Sequence, residues 1–177
     1  VDALSQQNLQ VLGIDISPSM IQQAKKNFPG RKFSVGNALD SSQFNTAFFT
    51  HILCLYFTIY YFPDKRRFFD NCMDWLRPGG YLVVHLVDRE KFDPILPPGN
   101  PLYIVSPQKY AKERITTTKV TFNDFVYNSE FNFDKDANIA TFDERFKFNN
   151  GNVRKQEQKL YMEDTQDILT IAQQCGF

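Results

Sequence analysis

The sequence predicts an α/β domain in which a parallel sheet covered by helices is followed by an antiparallel meander. Up to Asp88, short and nearly all-apolar segments alternate with helical segments, which is typical of strands buried on both faces. From Lys119 onward, apolar and polar residues alternate instead, which is typical of half-buried strands. A chain of 177 residues suits one domain, so we expect 1–177 to fold as a single unit.

Four apolar runs in the first half predict the buried strands. Their bounds are Leu9–Ile16, Lys32–Val35, Thr50–Leu55 and Tyr81–Val87. After the first run, Ser17 is a favourable N-cap and Pro18 a favourable first residue for a helix that reaches Asn27. A second helix is predicted from Pro63 to Leu76, and the proline and glycines of Arg77–Gly80 predict a sharp turn after it.

The second half predicts a three-stranded antiparallel meander within 119–162. Its strands are Lys119–Phe133, Ile139–Phe148 and Asn152–Met162. Asn150-Gly151 is a dipeptide that favours a tight hairpin between the last two strands. A helix from Asp164 to Cys175 follows. We therefore expect a cofactor-binding half at 1–92, a proline-rich linker or lid at 93–118, the meander at 119–162 and a late helix at 163–177.

Composition narrows the class of function. Lys plus Arg and Asp plus Glu both number 20, and this zero formal charge argues against a nucleic-acid surface. The three cysteines are widely spaced without a CxxC pair, so we expect no disulfide framework, no metal site and a reducing, cytoplasmic location. No apolar run reaches the length of a spanning helix, so we expect no membrane partner.

Two polar positions follow predicted strands at the edge where α/β sheets bind ligands. Asp15 ends the first strand, and its carboxylate can accept both hydroxyls of a ribose or can simply cap the next helix. Asn37, followed by Ala38, comes after the second strand, and its amide can recognise an adenine edge or belong to an ordinary turn. Neither position decides between these alternatives alone.

Taken together, these motifs resemble those of the class I, Rossmann-like methyltransferases, which use S-adenosylmethionine. The resemblance covers about the first half of the chain. The segments that carry it are Val11–Ala24 (VLGIDISPSMIQQA), Phe33–Leu39 (FSVGNAL), Thr50–Asp64 (THILCLYFTIYYFPD) and Leu76–Leu86 (LRPGGYLVVHL). It implies a Rossmann-like parallel sheet with helices on both faces, and a three-stranded meander inserted after the last visible parallel strand.

The resemblance also implies roles for individual residues. Asp15 would hold the ribose hydroxyls of S-adenosylmethionine, while Ile16 and Met20 would pack on the adenine ring. Asn37 and Ala38 would meet the rim of that ring.

Residues after the third strand would lie nearer the methyl group. Leu55 and Tyr56 would flank the methionine part of the cofactor. Tyr56, Tyr60 and Tyr61 are candidates for a catalytic role, because a phenol can orient a nucleophile or attract a sulfonium through its ring. Core packing is favoured for Tyr60 and Tyr61, since aromatic residues in an apolar run usually fill the interior. The expected methyl acceptor is a small molecule, with 119–162 as a substrate lid or a homodimer contact.

One departure from the family keeps other functions open. The glycine-rich loop that follows the family's first strand is not found, so the chain is predicted to be a fragment that lacks this strand and loop. A methyltransferase fold kept as a non-catalytic scaffold is therefore an alternative. A nicotinamide-dependent oxidoreductase is a weaker one, because it too has an acid after its second strand.

Overall fold

The computed structural model describes residues 1–94 and 111–177, which form two compact units. The first unit comprises Val1–Ile52 and Arg66–Tyr81, and the second comprises Leu53–Lys65 and Leu82–Phe177. The division predicted from sequence, with boundaries near residues 92, 118 and 162, stays a prediction. Most of its linker segment lies outside the described residues, because 95–110 are not among them.

A parallel pair of strands joined by a helix occupies the start of the first unit. The elements are α1 (Asp2–Ser5), β1 (Leu12–Asp15), α2 (Pro18–Asn27) and β2 (Lys32–Val35). β1 and β2 pair in parallel, and α2 contacts both strands. Parallel strands require such a crossover connection. β1 is shorter than the predicted strand but lies within it.

Helix α2 begins where the sequence predicts. Ser17 is the N-cap, and its Oγ accepts a hydrogen bond from the Met20 N–H at 3.4 Å. Pro18 occupies the first turn, where its missing N–H is not needed. Ile21 is the one residue of this helix that is buried, so a single apolar position anchors it against the strand pair.

The alternation continues with β3 (Phe49–Cys54), α3 (Lys65–Trp75) and β4 (Leu76–Val84), each of which meets or crosses a boundary between the units. β3 and β4 pair with each other. Hydrogen bonds near the two ends of this pair run from Ala47 N–H to Asp74 O and from His85 N–H to Cys54 O. Both strands therefore advance in the same direction, as a parallel sheet requires.

The start of β4 corrects a prediction. Arg77–Gly80 was expected to be a turn before a strand at Tyr81–Val87, but the strand already begins at Leu76 and ends at Val84. The physical reason is that backbone pairing starts ahead of the glycines, where Phe48 N–H donates to Trp75 O at 2.8 Å.

Gly79 and Gly80 nevertheless occupy positions in this strand that favour glycine. Gly79 has a φ of +75°, a conformation that favours glycine. A Cβ atom added to Gly80 would come within 3.0 Å of the Thr50 carbonyl oxygen and 2.9 Å of the Arg77 carbonyl oxygen. They therefore permit a bend and a close backbone approach within the strand.

Four antiparallel strands dominate the second unit, in the order β5-β6-β7-β8. They span Thr117–Thr121, Phe125–Asp134, Ile139–Phe148 and Val153–Tyr161. The sequence predicts three strands, because Lys119–Phe133 reads as one segment. A tight connection divides that segment, with Phe122 N–H donating to Phe125 O at 2.9 Å, and so creates the extra strand.

The last hairpin and the last helix agree with the sequence. Gly151 has a φ of +87° in the connection between β7 and β8, as the Asn150-Gly151 dipeptide predicts for a tight hairpin. Helix α4 (Thr165–Gln174) follows β8, and its N-cap Asp164 accepts a hydrogen bond from Gln166 N–H at 2.9 Å.

The antiparallel sheet has one buried face and one solvent face, because successive side chains alternate between them. The buried face carries most of the core of the second unit, and the solvent face is polar and exposed. Core residues on the buried face are Tyr127, Phe131, Ala140, Phe142 and Leu160. Three aromatic residues of the sheet, Tyr127, Phe131 and Phe142, therefore act as core packing.

The α/β fold class predicted from sequence is confirmed, with parallel strand pairs followed by an antiparallel sheet. Within the described ranges, none of the helices combines the length and the apolar character needed to cross a membrane.

Candidate cofactor site

Asp15 lies at the carboxyl end of β1 with its side chain exposed. One carboxylate oxygen, Oδ1, accepts a hydrogen bond from the Ser17 N–H at 2.8 Å and so tightens the turn into α2. No hydrogen bond occupies Oδ2 in the described part of the chain. The structure thus combines the two readings left open by the sequence: the carboxylate shapes the turn and still presents a free acceptor.

Three large apolar side chains beside Asp15 are exposed to solvent. Ile16 is 69% exposed and Met20 is 59% exposed, both in the turn and first helical turn after β1. Val35, which pairs directly with Asp15 across the parallel strands, is 46% exposed. Exposed apolar groups next to a hydrogen-bond acceptor suit a ligand that has a flat apolar part and hydroxyl groups.

The turn after β2 lies at the same carboxyl-end edge of the strand pair as Asp15. Gly36 N–H donates to Asp15 O at 3.0 Å, which extends the strand pairing by one bond. Asn37 is exposed, and its side-chain oxygen Oδ1 accepts a hydrogen bond from Leu39 N–H at 2.9 Å. Its side-chain nitrogen Nδ2 has no hydrogen bond with any described residue. Ala38 is half-buried, and its carbonyl accepts from the side chain of Asn71 at 2.9 Å. We call Asp15, Ile16, Met20, Val35 and Asn37 the strand-end cluster.

Leu55 and Tyr56 belong to the second unit, at the carboxyl end of β3. Leu55 is 50% exposed and Tyr56 is 76% exposed. Tyr56 and Phe57 have φ values of +57° and +50°, a left-handed conformation that is uncommon for residues other than glycine. Consecutive residues of this kind occur where surrounding structure imposes them, often at functional sites.

The other two tyrosine candidates differ from Tyr56. Tyr60 is fully buried, and its hydroxyl donates to Val87 O at 3.1 Å and accepts from Val87 N–H at 3.0 Å. Burial raises the pKa of Tyr60, so the phenol stays protonated. Tyr61 is 41% exposed and its hydroxyl donates to Gln158 Oε1. Tyr60 therefore has the packing role that the sequence favours.

The sequence did not suggest an ion pair in the second unit between the buried Lys65 and the half-buried Glu163. Lys65 is 2% exposed, and its Nζ lies 2.5 Å from a Glu163 carboxylate oxygen and 2.8 Å from Tyr161 O. Burial lowers the pKa of Lys65, and the neighbouring Glu163 opposes that shift. Since the partners lie nearly a hundred positions apart in the chain, no local pattern could have indicated the pair.

Comparison with known families agrees with this geometry. Residues 1–84 match a family model described as a methyltransferase domain. This match agrees with the resemblance to methyltransferases seen in the sequence, and the matched residues contain the strand-end cluster. A search of curated proteins found no match.

Solved structures share the fold over nearly the whole chain. CcbJ methyltransferase from Streptomyces caelestis has a TM-score of 0.75 at 14% identity, covering 99% of this chain and 67% of that one. An S-adenosylmethionine-dependent methyltransferase from Clostridium acetobutylicum has a TM-score of 0.71 at 14% identity, covering 94% and 63%. The chain thus spans about two thirds of their length.

A third solved structure also shares the fold. CalS10, an amino pentose methyltransferase from Micromonospora echinaspora, was solved with S-adenosylmethionine bound. Its TM-score is 0.63 at 18% identity, covering 94% of this chain and 65% of that one. At such identities these structures establish the fold.

Proposed function

We propose that this chain is part of an enzyme that transfers a methyl group from S-adenosylmethionine to a small-molecule acceptor. The observation that carries the proposal is the strand-end cluster, in which an exposed carboxylate at the end of a parallel strand stands beside exposed apolar side chains. The family match over residues 1–84 supports the same class of reaction. S-adenosylmethionine supplies an electrophilic methyl group on a sulfonium.

Within the cluster, each residue type suits one part of an adenosine. The free carboxylate oxygen of Asp15 can accept from ribose hydroxyls, and a charged acceptor makes such hydrogen bonds strong. Ile16, Met20 and Val35 offer an apolar surface to a purine ring. The side-chain amide of Asn37 can donate to an acceptor on the edge of the ring.

The remaining assignments are also proposals. Leu55 and Tyr56 would contact the methionine part of the cofactor, and their exposure and unusual backbone support such a role. Ala38 would meet the adenine rim, although its carbonyl is engaged by Asn71. We further propose a cytoplasmic location, in line with the wide spacing of the three cysteines in the sequence, and a homodimer, which light scattering would test.

Calorimetric titration with S-adenosylhomocysteine tests the proposal, with NAD as the competing ligand. In Asp15→Asn, the amide oxygen can still accept from Ser17 N–H, so the turn is kept while the charge is lost. We expect roughly tenfold weaker binding, the difference typical of one charge-assisted hydrogen bond. Asp136→Asn, a matched change in the exposed β6–β7 turn, should bind as the natural sequence does.

Two results would overturn this proposal. One is binding of NAD in place of S-adenosylhomocysteine, which would favour an oxidoreductase. The other is equal affinity of Asp15→Asn and Asp136→Asn for S-adenosylhomocysteine, which would remove Asp15 from the site.

A further inference from the structure

A charged residue lies on the buried face of the antiparallel sheet. Glu144 on β7 is half-buried, although its neighbours along that face of the strand are Phe142 and Phe146. Aromatic and aliphatic residues otherwise dominate this face, and a carboxylate is costly to place there without compensation. The presence of Glu144 among these aromatic residues therefore indicates a specific role for its carboxylate.

Hydrogen bonds hold the Glu144 carboxylate in a fixed orientation. Tyr127 donates from its hydroxyl to Oε1 at 2.7 Å, and Gln158 donates from Nε2 to Oε2 at 3.1 Å. Tyr61 in turn donates to the side-chain oxygen of Gln158, which fixes the amide. We call Glu144, Tyr127, Gln158 and Tyr61 the Glu144 cluster.

The donors of this cluster stay protonated at any ordinary pH. Burial, the largest cause, and the Glu144 carboxylate raise the pKa of Tyr127 to about 12. Burial, followed by Glu144, raises the pKa of Tyr61 as well. The two side chains that donate to the Glu144 carboxylate, Tyr127 and Gln158, are thus both neutral.

Among the described residues, no Lys or Arg side chain forms an ion pair with the Glu144 carboxylate. The nearest basic residue on the same face of β8 is Arg154, but it donates to Gln156 at 3.2 Å and lies over the Phe146 ring at 5.6 Å. A part-buried carboxylate with neutral donors and no counter-ion matches a site that receives its positive charge from a ligand.

A second polar group points to the same place. Ser129 pairs directly with Glu144 across β6 and β7 and is only 5% exposed. Its hydroxyl lies beside the Tyr127 phenol, where hydrogen bonding to the phenol oxygen lowers the Tyr127 pKa, and no other described residue contacts it by a hydrogen bond. A hydroxyl that donates to Tyr127 keeps its acceptor capacity, so it can accept a hydrogen bond from a bound donor.

The cluster is also reachable and lined by rings. Along the buried face, the part that carries Phe146 and Gln156 is half-exposed, whereas the part that carries Ala140 and Leu160 is closed. The rings of Tyr127 and Phe146 are 5.0 Å apart. Aromatic faces attract organic cations, and here they stand next to a carboxylate.

We propose that the Glu144 cluster binds the protonated amino group of a small molecule, with the ammonium against the carboxylate and its carbon skeleton against the neighbouring rings. Identifying this small molecule as the methyl acceptor rests on the function proposed above. In that case the bound ammonium is not the atom that is methylated, because its lone pair already holds a proton.

Benzylamine and benzyl alcohol are suitable probes, since they share a ring and differ in ammonium against hydroxyl. Each would be titrated into the ¹⁵N-labelled chain at neutral pH, following the amide signals of Ser129 and Glu144. We expect benzylamine to bind at least about tenfold more tightly than benzyl alcohol, as expected for a charge-assisted hydrogen bond. Equal affinity for the two probes would overturn the proposal without any variant.

Two variants then test whether Glu144 causes the preference for benzylamine over benzyl alcohol. Glu144→Gln keeps the size of the side chain and removes its charge, so the preference for benzylamine should fall to about one to twofold. Glu157→Gln makes the same change on the solvent face of β8 and should leave the preference intact. A preference that survives Glu144→Gln would contradict the proposal.

Titration of the same proteins with S-adenosylhomocysteine separates the two hypotheses. Cofactor binding without an amine preference would overturn the Glu144 site alone. An amine preference without cofactor binding would support the site and would count against methyl transfer.

Discussion

Apolar side chains are exposed in the strand-end cluster, whereas they are buried on the inner face of the antiparallel sheet. In the first unit, Ile16 and Met20 are more than half exposed beside a free carboxylate. In the second unit, Phe131 and Leu160 are at most 2% exposed within the core. The difference teaches that exposure of apolar side chains distinguishes the candidate cofactor site from the packed core of the sheet.

The largest expected effect tests the packing side of this comparison. Phe131 contacts the rings of Phe92 and Phe142, and the Arg114 guanidinium lies 4.7 Å from its ring centre. Phe131→Ala should lower the free energy of unfolding by about 3–5 kcal/mol, because it leaves a cavity in the core. Urea unfolding followed by circular dichroism measures this.

Phe122→Ala is the matched control, since Phe122 is 43% exposed at the edge of the same sheet. Its unfolding free energy should change by less than about 1 kcal/mol. If both variants lost the same stability, the contrast between the buried face and its edge would not hold.

A second comparison concerns two tyrosines of one segment. The Tyr60 hydroxyl makes two hydrogen bonds with the backbone of Val87, whereas Tyr56 is 76% exposed. Tyr60→Phe should cost about 1–3 kcal/mol of stability, because it leaves the part-buried Val87 N–H without its partner, while Thr165 can still donate to the Val87 carbonyl. Thermal or urea unfolding would show this loss.

For Tyr56→Phe we expect a change within about 0.5 kcal/mol, as for most exposed positions. A Tyr60→Phe variant as stable as Tyr56→Phe would show that the phenol does not fix the backbone after β4.

The last expected effect is a dependence on pH at the end of β3, where buried Cys54 precedes the exposed Leu55. Burial raises the pKa of Cys54 from 9.0 to about 12. Because the folded pKa is the higher one, the stabilisation from the protonated thiol is complete below pH 9 and is lost as pH rises towards 12. At pH 10.5 the loss should be roughly 2 kcal/mol.

Urea unfolding under reducing conditions at pH 8 and pH 10.5 isolates this effect when Cys54→Ala is compared with the natural sequence. The variant should be less stable at pH 8, and its deficit should shrink at pH 10.5. A deficit of the same size at both pH values would contradict a raised thiol pKa.

Local signals explain what the sequence could predict. Ser17 and Pro18 specify the start of α2, and Asn150-Gly151 specifies the hairpin between β7 and β8, because caps and tight turns depend on adjacent residues. The position of Asp15 at the end of β1 was predictable for a related reason, since the carboxyl ends of parallel strands are recognisable in the chain, and its role in binding stays a prediction.

Features that depend on distant residues were not predictable in this way. Lys65 meets Glu163, and Glu144 meets Tyr127 and Gln158, through pairings that only the folded chain creates. The start of β4 was missed for a similar reason, because the hydrogen bond to Trp75 overrides the turn preference of the residues that follow. Val35 was not predicted as a site residue, because its exposure depends on the fold and not on the local sequence.

The most direct test of the account is an amide-resolved NMR titration of the ¹⁵N-labelled chain with S-adenosylhomocysteine. We predict that signals of Asp15–Met20 and Gly36–Ala38 shift in a saturable way, together with those of Leu55 and Tyr56, while the amides of β5 to β8 stay largely unchanged. Absence of any saturable shift at Asp15–Met20, or shifts confined to the antiparallel sheet, would contradict the assignment of the strand-end cluster as the cofactor site.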